Sequence, residues 1–282
     1  MSQTATTTRP RWSALPRRRP PRPRPAVATL RVDISPLARA IFITLSVAGP
    51  LLGWWLLTAT GAVDARFLPS PVEAVNSAVE MAASGQLLDD AWASVRRVLY
   101  GFGLAVVASV PLGLLMGSFR SIWSLFEPAF GLLRYLPAPA FVPLLIGWLG
   151  LDEAPKLTLI FIATFFFNTL MTADVVRTVP VSLIDVSYTL GARTGEVLRK
   201  VVVPHSLPGI IDAIRVNAAA AWGAVVVAEL VASESGLGYR ITRLARFSQY
   251  EGIFAVLIVI ALIGLAIDIA LRILRDRVGR WV

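Results

Sequence analysis

Six long apolar stretches constrain this chain more than any other feature of its sequence. Each has 17 to 25 residues, the length that a helix needs to cross a hydrocarbon core about 30 Å thick. They are 41–60, 98–117, 135–151, 157–173, 209–233 and 252–271. Charged residues make up only 16% of the chain, whereas soluble domains have about a quarter. We therefore predict an all-α, polytopic membrane protein with about six transmembrane helices.

An arginine- and proline-rich arm precedes the first apolar stretch. Residues 1–36 hold eight arginines against Asp33 alone, a net charge of +7. Proline removes backbone donors and arginine stays hydrated, so this arm cannot pack a core. A nucleic-acid-binding tail is one interpretation of such a run. We favour a disordered cytoplasmic tail that is drawn to anionic lipid and sets the orientation, because an apolar segment follows directly.

The positive-inside rule orients the spans that follow. With the arm in the cytoplasm, the loop 61–90 lies outside, and its net charge is −4. Counting onward places 118–134, 174–208 and both termini inside. The arginines at 96, 97, 240, 243 and 246 resist this assignment. The predicted divisions are an arm (1–36), a transmembrane domain (37–275) and a cytoplasmic tail (276–282).

A polar stretch, "SLIDVSYTLGARTGEVLRKVVVPHSLP", separates two of the most apolar segments. Ser182 and Asp185 match a capping box, and Gly191 supplies the left-handed residue that ends a first helix. Thr194 can cap a second helix. Pro204 should end it, because the ring forbids the next helical hydrogen bond. The pattern predicts a cytoplasmic helical hairpin that either lies on lipid headgroups or docks on a soluble partner.

The hairpin resembles the EAA loop of ABC importer permeases. That loop reads Glu-Ala-Ala, three residues, Gly, nine residues, Ile-x-Leu-Pro. The matching positions are Asp185-Val186-Ser187, Gly191 and Val201-x-Val203-Pro204, with Asp for Glu, Val-Ser for Ala-Ala and valine at both apolar positions. The segments "FLPSPVEAV", "GLLRYLPAPAFVPLLIGWLG", "HSLPGIIDAIR" and "AWGAVVVAELVASESGLGY" are similar to nitrate/sulfonate/taurine-type permeases of that family. The resemblance covers roughly residues 45–275.

The resemblance implies a MetI-like permease fold in the bacterial cytoplasmic membrane, with the hairpin acting as coupling helices in a cleft of a cytoplasmic ATPase. The residues carried over to that contact are Asp185, Ser187, Gly191, Ala192, Arg199, Pro204, Leu207 and Pro208. The implied partners are two copies of an ABC ATPase subunit, a second copy of the permease, and a periplasmic or lipid-anchored substrate-binding protein. The partner ATPase would bind ATP and Mg, and this chain would bind no cofactor or metal. The implied solute is a small anion of the nitrate, sulfonate, taurine or bicarbonate class, or a thiamine-precursor-like pyrimidine.

The chain lacks motifs for driving transport itself. A phosphate-binding loop needs Gly-x4-Gly-Lys-Ser/Thr, but Lys156 and Lys200, the two lysines, sit in "PKL" and "RKV". Cysteine is absent, which excludes disulfides, thiolate metal sites and cysteine nucleophiles. Power must come from a partner or an ion gradient, so we predict a transport subunit and not an enzyme.

A translocation path is predicted from prolines and from polar residues within spans. Irregular backbone in a membrane is tolerated only inside protein or along a wet cavity. The predicted path residues are Pro137, Ala138, Pro139, Pro143, Asn168 and Glu229. A kinked packing helix would also explain the prolines, and Glu229 would equally suit hydrogen bonding to the next loop. Arginines 240, 243 and 246 recur at a spacing of three, which predicts that they share one helical face. They could attract an anionic substrate or an acidic binding protein, or anchor an outer helix at the headgroups.

Two other functions fit parts of the sequence. A secondary transporter would carry protons on Glu229, Asp268 or Asp212, but no inverted repeat is visible and the hairpin would be unexplained. An intramembrane enzyme would pair His205 with Ser206 or Ser182, but "PHSLP" offers no glycines for an oxyanion hole.

Overall fold

The computed structural model describes residues 33–64 and 66–280, and within them it contains α-helices and no β-strand, as predicted. The helices are α1 (Pro36–Ala59), α2 (Pro71–Ala83), α3 (Gln86–Ser118), α4 (Arg120–Leu133), α5 (Val142–Leu149), α6 (Glu153–Arg177), α7 (Val181–Thr189), α8 (Thr194–Val197), α9 (Val203–Ala232), α10 (Leu237–Arg246) and α11 (Tyr250–Val278). A 3-10 turn, Ala138–Phe141, precedes α5, and a π-helical turn, Leu198–Val202, joins α8 to α9.

The predicted divisions of the chain differ from the structural ones. Most of the predicted arm, residues 1–32, lies outside the described residues. The chain divides after Gly53 into two units, and α2 to α11 all belong to the second. The predicted boundary between 275 and 276 falls inside α11, which continues to Val278.

Five helical segments among the described residues are long and apolar enough to cross a membrane, and a bent pair can supply a sixth. The five are Pro36–Ala59, Gln86–Ser118, Glu153–Arg177, Thr194–Val231 and Tyr250–Val278. In the bent pair, α4 meets the segment Ala138–Leu149 at 81°. Most of the stretch 118–134, which the prediction placed inside between two spans, is the helix α4. The bend falls at Pro137 and Pro139, where the missing N–H groups and the restricted preceding residues interrupt the helix.

Helices α3 and α6 approach each other closely along a stripe of small residues. Every fourth residue on this face of α3 is small: Gly101, Ala105, Ser109, Gly113 and Gly117. A Cβ added to Gly101 would lie 2.9 Å from Cβ of Ile160. One added to Gly113 would lie 2.6 Å from the carbonyl oxygen of Thr169. Small residues allow helix backbones to approach in lipid, where the hydrophobic effect does not draw helices together.

Helix α9 lies at the centre of the second unit and packs against α3, α6, α10 and α11. Ala221, Trp222 and Val225 of α9 are buried in the largest apolar cluster, together with Leu237 of α10 and Val256 of α11. The position of α9 fixes what lies at its two ends, the hairpin before it and α10 after it. A helix of 30 residues is about 45 Å long, so the hairpin and α10 are on opposite sides of the apolar layer.

We expect Gly113→Ala to destabilise the protein and Gly103→Ala not to. A methyl group at residue 113 would clash with Thr169 and Thr172 of α6, whereas one at residue 103 would meet no atom within 4 Å. Overpacking of this kind lowers the free energy of unfolding by about 1–3 kcal/mol. Thermal unfolding of the two purified variants in detergent measures the difference. Equal midpoints would show that the α3–α6 contact is not as tight as described.

Candidate functional site

The predicted hairpin is present between α6 and α9, and its turn is made by Gly191. This glycine has φ +85°, a left-handed conformation that side chains of L-residues disfavour. Its N–H donates to the carbonyl oxygen of Tyr188 at 2.9 Å, and the N–H of Ala192 donates to that of Ser187 at 3.0 Å. The predicted role of Gly191 in ending the first helix is confirmed.

Both predicted caps of the hairpin helices are wrong in position. Ser182 lies within α7, whose N-cap is Pro180 with no side-chain cap. Thr194 is the first residue of α8, and its N-cap is Arg193. The backbone N–H of Arg193 donates to Oε2 of Glu196 at 3.1 Å. The Glu196 carboxylate therefore caps the N-terminus of the second helix at Arg193, one residue before the predicted cap at Thr194.

Pro204 does not end the second helix, contrary to the prediction. The chain passes from α8 through the π-helical turn directly into α9, and Pro204 sits in the first turn of α9. The N–H of Val203 donates to the carbonyl oxygen of Leu198, so the turn is wider than in an α-helix. A wider turn leaves room for the proline ring, and a first turn requires no N–H from proline. Hairpin and span thus form one continuous rod, Thr194–Val231.

The hairpin has a packed side and an exposed apolar side. Val197 and Val202 are buried against Val176 of α6 and Val179, which follows that helix. Several of the exposed side chains on and after α7 are apolar or aromatic: Val181, Leu183, Val186, Tyr188 and Leu190, the last 82% exposed. Leu183, Val186 and Leu190 follow the spacing of one helix face, and an exposed apolar patch of this kind marks an interaction site.

The other predicted coupling residues lie around that exposed side or at the base of the rod. Asp185 and Arg199 are exposed, and Ala192 is half-buried. The hydroxyl of Ser187 donates to the Leu183 carbonyl oxygen at 2.7 Å. Leu207 and Pro208 are half-buried near the start of α9, like Pro204. The hairpin therefore presents two charges and an apolar surface on one element.

The predicted path residues do not form one group. Pro137, Pro139 and Pro143 are exposed on this chain and Ala138 is half-buried. Pro137 and Ala138 line a cavity of about 200 Å³ with residues of α6. These four residues are accessible enough to line a path along the surface of the chain, and their role in transport remains a prediction.

Asn168, a predicted path residue, is fully buried between three helices, and its role in the path stays a prediction. Its Nδ2 donates to Oγ of Ser109 at 2.6 Å, and Nδ2 of Asn217 donates to its Oδ1 at 3.4 Å. Asn168 thus joins α3, α6 and α9 by polar contacts that lipid cannot replace.

Glu229 belongs to a buried network and not to an open path. Its carboxylate, 1% exposed, accepts hydrogen bonds from Nη1 of Arg97 at 2.8 Å, the hydroxyl of Ser94 at 2.8 Å and the N–H of Gly238 at 2.9 Å. The alternative in which Glu229 hydrogen-bonds to the loop after its span is therefore confirmed. Arg97 also binds both oxygens of Glu153, at 2.8 and 2.7 Å.

A second buried pair lies beside the first. Nε of Arg240 donates to Oδ2 of Asp90 at 2.6 Å, and its Nη1 donates to Oε1 of Gln86 at 2.7 Å. Oδ1 of Asp90 accepts from the N–H of Gly236 at 2.8 Å. Gly236 must be glycine, because its φ is +112° and an added Cβ would overlap the carboxyl group of Glu229. Backbone N–H groups at the start of α10 thus bind the carboxylates of Asp90 and Glu229.

This network explains two of the arginines that resist the positive-inside rule. Within this network, three cations (Arg97, Lys156 and Arg240) face three carboxylates (Asp90, Glu153 and Glu229). Arg97 and Arg240 therefore have a structural role as members of buried ion pairs. The sequence held a signal that was missed: 90, 94 and 97 are spaced four and three apart, hence on one face of α3.

Residues that the secondary-transporter and enzyme alternatives require are engaged in contacts within the chain. Asp212 pairs with Arg275 at 3.3 Å, and Asp268 pairs with Arg215 at 3.2 Å, so these carboxylates tie α9 to α11. The hydroxyl of Ser206 donates to the carbonyl oxygen of Val202 at 2.8 Å, which leaves it no hydrogen to share with His205.

Apolar spans, internally paired charges and an exposed hairpin at one end define a multi-pass membrane subunit built to dock on another chain. Residues 109–280 match the family described as "Binding-protein-dependent transport system inner membrane component", and the chain belongs to that family. It is a transport permease subunit, as the resemblance implied, and the secondary-transporter alternative is not favoured.

Several named relatives cover most of the chain. A probable ABC transporter permease protein of Brucella melitensis is 41% identical over 237 residues, 84% of this chain and 95% of the relative. The putative aliphatic sulfonates transport permease SsuC of Bacillus subtilis is 34% identical, covering 81% of this chain and 83% of its own. The taurine transport system permease TauC of Escherichia coli is 29% identical, covering 87% and 92%.

The fold is shared with a chain of the MetNI methionine ABC transporter in an inward-facing conformation. The TM-score is 0.64 at 17% identity, over 70% of this chain and 97% of that chain. The predicted MetI-like fold is confirmed.

We expect Arg97→Met to lower the free energy of unfolding by about 3–5 kcal/mol, because it leaves Glu229 charged and buried without its guanidinium. Arg96→Met is the matched control, since Arg96 is the exposed neighbour and its loss should cost within about 0.5 kcal/mol. Denaturant unfolding in detergent measures both. The double variant Arg97→Met/Glu229→Gln should recover part of the loss, and a further loss would contradict the pairing.

Proposed function

We propose that this chain is the membrane-spanning permease of an ATP-driven, binding-protein-dependent importer of a small anion, most simply a sulfonate. The observation that carries the proposal is the exposed hairpin at the end of a rod that continues through the membrane. The names of relatives that transport aliphatic sulfonates and taurine support the substrate class. Members of this class carry a compact oxyanion group.

The exposed side of the hairpin is the surface that we assign to an ABC ATPase subunit. A short helix with apolar side chains on its outer face is suited to a groove on a soluble partner. Asp185 and Arg199 are exposed elsewhere on the same hairpin and are available for polar contacts. Each of two ATPase copies, which would bind ATP and Mg, would receive the hairpin of one permease copy.

The continuous rod supports a mechanical role for the hairpin. Because α8 passes into α9 without a break, a displacement of the hairpin moves the central helix of the chain. The packed side of the hairpin, with Val197 and Val202 buried against α6, would carry the same displacement to that helix. Transport by two permease copies would follow from such movements, with the exposed prolines 137, 139 and 143 and Ala138 along the path.

This assignment fixes the orientation that we propose. The hairpin faces the cytoplasm and its ATPase, and both termini lie on the same side in a six-span arrangement. Helix α10, at the other end of α9, then faces outward, where a periplasmic or lipid-anchored binding protein delivers the solute.

We expect Gly191→Val to uncouple ATP hydrolysis from uptake. A β-branched residue at φ +85° costs about 1–3 kcal/mol and would distort the hairpin turn. Gly195→Val is the matched control, because Gly195 lies in the same hairpin with no atom within 4 Å of an added Cβ and without a positive φ. The measurement is solute uptake per ATP hydrolysed, in proteoliposomes that contain the cognate ATPase and binding protein.

Reversal of charge tests the same surface without changing the turn. Asp185→Lys should also lower uptake per ATP, because it places a positive charge on the surface assigned to the ATPase. Asp185 is exposed and forms no ion pair among the described residues, so the variant should fold normally. Normal coupling in both Gly191→Val and Asp185→Lys would refute the assignment of the hairpin to the ATPase.

A further inference from the structure

Helix α10 directs its three arginines in different directions. Residues spaced by three drift by about 60° around a helix, so 240 and 246 are about 120° apart. Arg240 points inward and is neutralised by Asp90, as described above. Arg243 and Arg246 are exposed. The sequence-based interpretation of one shared arginine face is therefore wrong.

The two outward arginines lack acidic partners among the residues that the structure describes. Among residues 33–64 and 66–280, no carboxylate lies within ion-pairing distance of Arg243 or Arg246. Their place in the last turn of α10 complements the helix dipole, but a dipole end provides only about half a charge. Most of their positive charge is thus left for a ligand.

Both arginines line a concave pocket of about 530 Å³. Tyr239, Thr242, Arg243 and Arg246 follow the spacing of one helix face and form one wall. The end of α9, with Leu230 and Val231, forms the other. Two arginines and Tyr239 thus line one wall opposite apolar residues of α9, in a volume typical of small-molecule sites.

We propose that this pocket is an outer anion-binding vestibule that receives the oxyanion group of the substrate before it enters the path. The inference rests on the proposed function, which places α10 on the outer side and gives the solute a sulfonate group. Guanidinium forks match the oxygens of such a group and bind them through charge-assisted hydrogen bonds. The apolar residues of α9 would contact the carbon chain of the same solute.

The concave shape favours a small anion over an acidic protein surface. A binding protein would require a broad contact area, whereas these groups converge on a volume of drug-molecule size. The phosphate of a lipid headgroup has the same chemistry as a sulfonate, so the experiment must separate the two sources.

The first measurement is made on the purified permease alone, in nanodiscs of phosphatidylcholine, with sodium ethanesulfonate as the probe. Ethanesulfonate should raise the thermal unfolding midpoint of the unaltered protein. In Arg243→Gln/Arg246→Gln the concentration for half of this effect should rise at least about tenfold, the usual loss for a charge-assisted hydrogen bond. Arg96→Gln, which removes an exposed outer arginine outside the pocket, should leave it unchanged.

The second measurement tests whether a lipid headgroup, and not a free sulfonate, occupies the pocket. Nanodiscs of phosphatidylglycerol replace those of phosphatidylcholine, without sulfonate. If this lipid stabilises the unaltered protein through the two arginines while ethanesulfonate has no effect, the occupant is a headgroup and the vestibule is refuted.

The third measurement separates this inference from the proposed function. Uptake of ethanesulfonate and ligand-stimulated ATP hydrolysis are measured in phosphatidylcholine proteoliposomes with the cognate ATPase and binding protein. Absence of stimulated hydrolysis in the unaltered system would contradict the proposed function. Normal stimulation, with equal uptake by the double variant and Arg96→Gln, would refute the vestibule alone. A weaker response to binding-protein concentration with unchanged ethanesulfonate binding would assign the arginines to protein docking and also refute it.

Discussion

The Arg97 guanidinium organises one end of this protein, because an ionised group at that depth must find its counter-charges inside the chain. It binds Glu229 of α9 and Glu153 of α6 from its own position on α3, and it reaches the carbonyl oxygen of Ser235 before α10 at 2.8 Å. Four helices are thereby held at fixed separations. The turn at Gly236 and the outward direction of Arg243 both follow from this arrangement.

The close contact of α3 with α6 depends on a different constraint. Lipid is as apolar as leucine, so helices gain from contact mainly through dispersion and internal hydrogen bonds. The glycines of α3 allow α6 to approach, and the bond from Asn168 to Ser109 lies at the middle of the same stripe. A rigid α3–α6 pair gives α9 a surface on which a movement of the hairpin can act.

The hairpin shows how far local sequence rules reach. The left-handed position of Gly191 was predictable, since few other residues accept that backbone conformation. The ends of the helices were not: Pro204 breaks a regular helix, yet a π-helical turn removes the conflict. Whether a proline ends a helix or sits in its first turn depends on how the preceding residues pack, here Val197 and Val202 against α6.

The sequence by itself determined the class of the protein. Long apolar stretches allow little except membrane helices, and the spacing of glycine and proline in the hairpin carried the resemblance to importer permeases. Only the tertiary structure decided the roles of the charged and polar residues. Glu229 and Asn168 looked like path residues because a polar group in a span must serve some purpose. In the structure both are buried and hydrogen-bonded to other helices. The Arg97 partner of Glu229 lies 132 residues away in the chain, and no local pattern reports such a contact.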